Sequence, residues 1–312
     1  MRKLRLMMAT ALVVLMAACG TTRTVPLTGR TQKVADNAQM LSLSLQEYQS
    51  YMKTAKKSTN AQNTAMVERV GKRLAAAVEN YLKNNGYESE LQGYQWEFNL
   101  VQNKEVNAWC MPGGKIVVYE GLLPVTQTEA ALAIVLGHEI AHAVAMHSAE
   151  QYQKKLNQQS GLQAGAVLAQ VLGVGSTMTS VGVQAASQYL SFRNLSYSRD
   201  HETEADHLGL IFAAMAGYDP QVAIDFWGRM GTSNVPEWQS SHPSNENRIA
   251  AIKREMPEAL QYYNAYKAAN TQGTTTTKKA TTTTTKKAAT TTTKKAATTT
   301  KKSSGKGFKI GG

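Results

Sequence analysis

The chain has 312 residues, and its two cysteines exclude a small fold held together by disulfides. Its formal net charge is +12. The first five residues contribute +3 and ten lysines after residue 270 contribute +10, so the residues between these two ends have a net charge of −1. A nucleic-acid-binding domain would carry its basic charge on the folded core, and the composition therefore excludes that class.

The first twenty residues predict export and lipidation. A basic start is followed by an apolar run that is too short to span a bilayer comfortably. The run ends in Leu15-Met16-Ala17-Ala18-Cys19, which resembles the lipobox of bacterial lipoproteins with Cys19 as the acylated residue. The alternative is a plain secretory signal with an incidental cysteine. Gly20, by resemblance to Gram-negative sorting rules, favours the outer membrane, so we predict a signal peptide at 1–18, an acylated spacer at 19–35 and a lipid-anchored protein on the periplasmic face of a Gram-negative outer membrane.

The middle of the chain predicts alternating helices and strands. The spacing of apolar residues predicts helices over 36–57 and 64–85 and short strands over 94–101 and 115–119. A capping-box pattern at 126–129 then opens a long apolar helix that is expected to run past His147.

The remaining segments predict further helices and a tail. Residues 161–186 are rich in Gly, Ala and Val but interrupted, which favours a helical hairpin or mobile lid over a membrane span. Helices are predicted at 199–216, at 220–230, at 245–256 and from Pro257 onward. The Thr/Lys-rich tail, 271–312, has almost no large apolar side chains, so we predict that it is disordered.

The segment His138-Glu139-Ile140-Ala141-His142 most directly indicates chemistry. Residues four apart lie on one face of a helix, so both imidazoles can bind one cation. Glu139 lies about 100° around the helix and is free to reach a metal-bound water. Zinc suits this pattern because three protein ligands leave a position where water becomes reactive near neutral pH. The alternative is an amphipathic helix with incidental polar residues, but the apolar flanks would bury them, and buried polar groups need partners.

The third ligand is expected on a second helix. Glu202 and Asp206 share a face there, so Glu202 could bind the metal while Asp206 accepts a hydrogen bond from a liganding imidazole. Glu204 would point about 200° away from Glu202 and is expected to be solvated or paired elsewhere.

Three other histidines compete with this assignment. His147 falls on the opposite side of a continuous helix from His138 and is expected to be structural. His201 and His207 are rival ligands, ranked lower because neither has a carboxylate partner four residues on.

These residues resemble a known family. With Ser198-Arg199 before Glu202, they look like the gluzincin peptidases of the HtpX and CAAX-prenyl-endopeptidase type, and most resemble the periplasmic lipoprotein branch (BepA- and LoiP-like). The resemblance covers roughly residues 25–256. It extends to segments 26–30, 107–108, 112–114, 120–122 and 241–243 and to Arg248.

The resemblance implies an α+β, mainly helical gluzincin-type metalloprotease domain at 36–270, with a small antiparallel sheet beside the HExxH helix. It implies one zinc ion per chain, bound by His138, His142 and Glu202, with Glu139 as general base. The remaining residues carried over are Asp206 as an orienting residue or proton donor, His242 as a stabiliser of the oxyanion or a ligand in the open zinc position, and Arg248 as an assisting substrate-binding residue. A plain capped loop is the alternative at His242.

Residues 107–119 predict a surface for substrate. A short strand preceded by Gly113 and Gly114 can leave an unpaired edge beside the metal, to which an extended polypeptide adds by backbone hydrogen bonds. Asn107 and the two glycines are the candidate substrate-binding residues, and a plain core hairpin is the alternative. Cys110 is a lone thiol that is either buried and inert or a cap on zinc in a latent form.

The sequence thus predicts a zinc-dependent endopeptidase that cleaves unfolded or misassembled cell-envelope proteins as quality control. Its predicted partners are unfolded polypeptides and, through Cys19, a membrane; the lysine-rich tail is a candidate for binding anionic envelope polymers. The rival interpretations are a scaffold with structural or permanently capped zinc, and an envelope tether in which the cationic tail does the main work.

Overall fold

The computed structural model describes residues 20–158, 192, 196–232, 235, 238, 242 and 247–291, with side chains to Thr271. The predicted signal peptide, Cys19 and the predicted hairpin or lid at 161–186 lie outside these residues. The chain divides into two compact units, Met1–Tyr266 and Lys267–Gly312. The sheets and the candidate site belong to the first unit.

A β-hairpin opens the described chain, where the sequence predicts a spacer. Strands β1 (Thr21–Thr24) and β2 (Thr31–Val34) pair antiparallel. The turn between them uses positive φ at Leu27 (70°) and Gly29 (69°). Strand β2 alternates between exposed and buried residues, so one face of the hairpin packs on the rest of the unit.

Two helices follow the hairpin. Helix α1 (Asn37–Thr54) begins at Asp36, whose carboxylate accepts from the backbone N–H of Gln39, and α2 (Ala61–Asn84) begins at Asn60 in the same way. Both confirm the predicted helices, with α2 starting three residues before the predicted start because Asn60 caps it. The buried face of α2 has the predicted spacing and consists of Val67, Val70, Leu74, Val78 and Leu82 together with Gly71 and Ala75.

A three-stranded sheet supports the candidate site. Strands β3 (Glu97–Val101), β4 (Ala108–Met111) and β5 (Lys115–Tyr119) lie in the order β3-β5-β4. Strand β5 pairs parallel with β3 and antiparallel with β4. The predicted α+β, mainly helical class is confirmed, and the sheet is mixed because its antiparallel pair is extended by one parallel strand.

Strand β4 is absent from the sequence-predicted elements because its four residues offer too few positions for a pattern. A short helix, α3 (Leu123–Thr126), leads from the sheet to the HExxH helix.

The HExxH helix is shorter than predicted. Helix α4 (Glu129–Val144) is capped by Thr128 and ends at Val144. The next helix, α5 (His147–Gln158), is bent from it by 44°. Met146 between them has a positive φ of 55°. The prediction of one helix continuing past His147 is therefore wrong, because the left-handed residue interrupts the backbone ladder. Within the described residues no single helix meets the length and hydropathy expected of a membrane span, although the bent pair α4–α5 passes that test when taken together.

Three further helices complete the described chain: α6 (Arg199–Met215), α7 (Val222–Thr232) and α8 (Arg248–Thr291). Helix α8 contains Pro257, so the two helices predicted around this proline form a single one. Its backbone remains helical to Thr291, inside the segment 271–312 predicted to be disordered. Residues 292–312 lie outside the described part, and the proposed domain boundaries stay a prediction.

The HExxH helix crosses α6 at two glycines. A Cβ placed on Gly209 would lie 2.6 Å from the backbone nitrogen of His138, and one on Gly137 would lie 2.6 Å from the carbonyl oxygen of Gly209. Glycine at both positions thus lets the two backbones approach closely. This crossing places the first turns of α6 beside the last turns of α4.

Candidate metal centre

Four buried side chains converge where α4, α6 and the loop residue His242 meet. One donor atom from each of His138, His142, Glu202 and His242 lies within 4.8 Å of the other three. The Nε2 atoms of His138 and His142 are 3.0 Å apart. The oxygens of Glu202 lie 3.4 Å from Nε2 of His138 and 3.3 Å from Nε2 of His142. Nδ1 of His242 lies 3.1 Å from Glu202. The structure therefore brings together the three predicted zinc ligands and His242.

The donor set fits a divalent cation. His138 donates its Nδ1–H to Oδ1 of Asp206 at 2.9 Å, because an ionised carboxylate can only accept. In the neutral ring this leaves the lone pair of Nε2 facing the other imidazole. Oε2 of Glu202 and Oε1 of Glu139 are buried without a hydrogen-bond partner. Facing nitrogen lone pairs and unsatisfied carboxylate oxygens in one buried place are favourable only if a positive charge lies between them.

The pKa shifts of His138, His142 and Glu202 agree with this interpretation. Burial acts to raise the pKa of Glu202, but electrostatic attraction to His242 and His138 outweighs it and lowers this pKa well below its usual value. Burial lowers the pKa of His142 well below its usual range, which keeps this imidazole neutral. Burial also lowers the pKa of His138, yet the neighbouring carboxylates of Asp206 and Glu202 outweigh it and raise the value to about 9. Without a cation the site therefore favours a second proton on His138, and a bound cation would take the place of that proton.

Glu139 lies next to the cluster and is not one of its four donors. It is 3% exposed, and its Oε1 lies 3.5 Å from Nε2 of His242. Its carboxylate also accepts a hydrogen bond from the backbone of Cys110. Burial raises the pKa of Glu139, the direction a proton acceptor needs to work near neutral pH.

Asp206 and Arg248 form a clamp behind His138. Arg248 donates from Nε to Oδ2 and from Nη2 to Oδ1 of Asp206, both at 2.6 Å. Its guanidinium carbon lies 3.5 Å from the ring centre of Trp227. Arg248, predicted to help bind substrate, is thus placed against the orienting carboxylate, with Nη2 at 3.8 Å from Glu202.

The other side of the cluster holds residues that sequence reasoning did not connect to it. His147 lies 2.8 Å, Nδ1 to Nδ1, from His142, and its Nε2 lies 2.9 Å from Glu204. Glu204, 8% exposed at its side chain, is paired and not solvated. The contact from His147 depends on the break after α4, which the apolar spacing does not reveal.

The rival ligands lie apart from the cluster. His201 is 3.0 Å from Glu150, and His207 is within 3.6 Å of Glu255 and Glu258 at a partly exposed position.

The strand after Gly113 and Gly114 was predicted to leave an unpaired edge, and this prediction is wrong because that strand, β5, pairs with β3 on one side and with β4 on the other. The candidate substrate-binding residues themselves fall into two groups. Asn107 directly precedes β4, and Cys110 lies within it. The backbone of Cys110 contacts Glu139. Gly113 and Gly114 form the turn after β4 with φ values of 88° and 81° and pack close to Leu41 and Trp96. The thiol of Cys110 is buried, lies 3.6 Å from the carbonyl of Met111 and is not one of the four clustered donors. Burial raises its pKa well above the usual value, so the inert alternative fits this position.

The sequence of the chain matches the model of peptidase family M48 over residues 61–256, which contain all the clustered donors. The chain belongs to this family. It is 39% identical over 188 residues to the mitochondrial metalloendopeptidase OMA1 of Arabidopsis thaliana, covering 59% of this chain and 36% of that protein. It is 30% identical to the human mitochondrial metalloendopeptidase OMA1 over 258 residues, 76% of this chain and 46% of that protein. The beta-barrel assembly-enhancing protease of Escherichia coli matches at 28% over 163 residues, 50% of this chain and 33% of that protein.

Two expectations are confirmed by these matches, and one is wrong. The gluzincin-type family and zinc as the metal that suits this donor set agree with the M48 match and the cluster. The M48 chain spans about a third to a half of the length of these relatives. The predicted location, lipid-anchored on the periplasmic face of a bacterial outer membrane, is contradicted because the relatives of 30–39% identity are named as mitochondrial proteins. The prediction of this location rested on the pattern of residues 1–20, of which the structure describes only Gly20.

Proposed function

We propose that this M48 chain is a zinc-dependent endopeptidase that hydrolyses peptide bonds in unfolded or misfolded polypeptides. The observation that carries the proposal is the buried cluster of two imidazoles and a carboxylate with Glu139 one residue after the first ligand. The relatives named as metalloendopeptidases and proteases support the same reaction.

His138, His142 and Glu202 would hold the zinc. When bound, zinc supplies a Lewis acid that makes water acidic and polarises a peptide carbonyl. Glu139 accepts a proton from the attacking water and returns it to the leaving amine. Asp206 keeps the proton of His138 on Nδ1, and Arg248 holds that carboxylate in place. His242, 3.5 Å from Glu139, is placed to donate a hydrogen bond to the oxyanion.

The edge of β4 supports a backbone-directed mode of substrate binding. The backbone N–H of Tyr119 donates to the carbonyl of Asn107 at 3.1 Å. Because hydrogen-bonded pairs alternate along an antiparallel ladder, Cys110 lies at a position whose N–H points away from β5. That outward face is the one that contacts Glu139. An extended polypeptide added along this edge would therefore lie beside the general base, and recognition through the backbone favours unfolded segments.

Replacement of Glu139 tests the proposal. In the purified full chain, Glu139→Gln should retain one zinc per chain, because Glu139 is not among the clustered donors. Cleavage of a reduced, unfolded polypeptide should fall by about 10²- to 10⁴-fold, since the proton acceptor is lost.

Glu129→Gln is the matched control, because Glu129 lies in the first turn of the same helix and pairs with Arg69 at the surface. It should change neither zinc content nor cleavage. Undiminished cleavage by Glu139→Gln would refute the mechanism. A wild-type chain that holds zinc yet cleaves no unfolded polypeptide would favour the scaffold with structural zinc.

A further inference from the structure

A line of polar groups runs from the N-terminal hairpin to the back of His142. It consists of Thr28 and Arg30 on the hairpin, Glu204 on α6 and His147 at the start of α5. We call these four residues the hairpin relay. Glu204 accepts from the hydroxyl of Thr28 at 2.6 Å and from Nε of Arg30 at 2.8 Å. His147, with no exposed surface, connects Glu204 to His142.

The proton positions along the relay follow from which atoms can donate. The carboxylate of Glu204 can only accept, so the hydrogen on His147 must be on Nε2, which faces it. Nδ1 of the neutral His147 ring then carries a lone pair and accepts from Nδ1–H of His142. With its hydrogen on Nδ1, His142 presents the lone pair of Nε2 to His138 and Glu202. The relay therefore selects the tautomer that a metal ligand requires.

The two liganding imidazoles have related supports. Nδ1–H of His138 donates to Asp206, and Asp206 accepts two further hydrogen bonds from Arg248. His142 is connected to Glu204 through His147, which hydrogen-bonds to both, and Glu204 accepts a hydrogen bond from Arg30. Each of the two liganding imidazoles is thus hydrogen-bonded, directly or through His147, to a carboxylate that accepts from an arginine.

Arg30 also fixes the hairpin to the break between α4 and α5. Its Nη1 donates to Glu150 at 2.9 Å and its Nη2 to Oε1 of Gln32 at 3.0 Å. Nε2 of Gln32 in turn donates to the carbonyl of Ala145 at 2.6 Å. Ala145 directly precedes Met146, whose backbone is left-handed, and His147 is the next residue and the first of α5. The hairpin therefore contacts the backbone at Ala145, which sets the direction of His147, and also Glu204, which hydrogen-bonds to His147.

We propose that Arg30 and Thr28 are positioning residues for the metal centre, acting on His142 through Glu204 and His147. The inference rests on the proposed zinc site. It assigns a role at that site to the N-terminal hairpin, which precedes the region matched by the family model.

The test measures zinc affinity in the full chain by competition with a chromophoric chelator. Arg30→Met removes the charge and the fork of donors, and it should weaken zinc binding by about 10- to 100-fold, as other losses of groups behind a metal ligand do. The absorption bands of the cobalt-substituted protein should shift, since they report ligand geometry. Arg30→Lys, which keeps the charge, should recover part of the affinity. In the double variant with His147→Asn, the two losses should not add, because both act through one path.

Arg23→Met is the matched control, because Arg23 lies on the same hairpin and forms a comparable ion pair with Glu90 at 2.6 Å, away from the relay. It should leave zinc affinity and the cobalt spectrum unchanged. If Arg30→Met does not fold, Thr28→Val decides the matter with the same two readouts, since it removes only one hydroxyl donor. Wild-type affinity and an unchanged spectrum in the folded variant would overturn the proposal. A wild-type chain that binds no zinc would refute the proposed function instead.

Discussion

Asp206 serves two neighbours with its two oxygens. One oxygen accepts from His138 and from Nη2 of Arg248, and the other accepts from Nε of Arg248. Burial acts to raise the pKa of Asp206, but the charge of Arg248 and the hydrogen bond from His138 outweigh it and lower the value. The carboxylate therefore stays ionised and keeps the imidazole in one tautomer. Arg248 in turn is buried, and the carboxylate of Asp206 compensates its positive charge.

Substitution of Asp206 should separate orientation from ligation. Asp206→Asn keeps the shape but removes the charge that Arg248 needs, and Nη2 of Arg248 already lies 3.8 Å from the ligand Glu202. We expect the guanidinium to turn toward Glu202, so that zinc affinity, measured by chelator competition, falls by about 10- to 100-fold. Urea unfolding of the metal-free chain should show a loss of about 3–5 kcal/mol, the usual effect of breaking a buried ion pair.

Asp200→Asn provides the comparison, because Asp200 is exposed in the first turn of the same helix. The zinc affinity and the free energy of unfolding of this variant should both stay near the wild-type values. If the Asp206 variant folds and binds zinc as tightly as the unmodified chain, Asp206 has no orienting role.

At the scale of single residues, the sequence predicted contacts that follow from spacing along one helix. His138 and His142 four apart, and Glu202 and Asp206 four apart, were enough to anticipate the cluster and the group behind His138. His147 and Glu204 were not connected to the site, because their contact joins three elements and depends on a helix break. Arg30 carries no local signal of its role at all, since its partners Glu204 and Glu150 are 174 and 120 residues away.

At the scale of elements, the crossing of α4 and α6 determines whether the ligands can meet. Gly137 and Gly209 bring the backbones together one residue before His138 and seven residues after Glu202. A side chain at either position would have to displace backbone atoms of the other helix, which cannot rotate away as a flexible side chain can. The same contact therefore affects both packing and metal geometry.

Gly209→Ala should separate these helices. The added methyl group would lie 2.6 Å from the backbone nitrogen of His138, and overpacking of this kind costs about 1–3 kcal/mol in the free energy of unfolding. Zinc affinity should fall as well, because Glu202 moves with α6. Urea unfolding of the metal-free chain and chelator competition measure the two effects.

Gly228→Ala on α7 is the matched substitution, because a Cβ there would meet no atom within 4 Å among the residues that the structure describes. The free energy of unfolding should rise by about 0.5–1 kcal/mol, as expected for alanine in a helix interior. A Gly209→Ala chain as stable as Gly228→Ala would contradict the close crossing.

Periodicity predicted the long elements and missed the short ones. Helix α2 was recoverable because Val67, Val70, Leu74 and Val78 repeat at helical spacing over many turns. Strand β4, with four buried residues, and the N-terminal hairpin, with four residues in each strand, offer too few positions for a pattern. The end of α4 at Val144 was missed because Ala145 and Met146 are both good helix formers, and the left-handed turn there is imposed by tertiary contacts.

At the scale of the whole first unit, the three-stranded sheet separates two hydrophobic clusters. One face of the strands, with Phe98, Ile116 and Val118, packs into the larger cluster that also contains the apolar faces of α2, α4 and α6. The other face, with Trp109 and Val117, packs into a smaller cluster with α1. Helix α4 is buried along its length in the larger cluster, so the metal donors are part of the core and not additions to its surface.

Removal of zinc should therefore destabilise the whole unit and not only abolish cleavage. Without a cation, the core retains two facing imidazole nitrogens and the unpartnered oxygens of Glu139 and Glu202. A ligand that binds only the folded state adds about 4 kcal/mol at a free concentration 1,000 times its Kd. Thermal unfolding followed by circular dichroism should show a Tm that rises with free zinc and falls when a chelator is added. Glu202→Ala, lacking a ligand, should have a Tm that the chelator does not change, whereas Glu139→Gln should respond as the wild type does. A wild-type Tm that is the same with zinc and with chelator would mean that the four donors do not share a cation in the folded core.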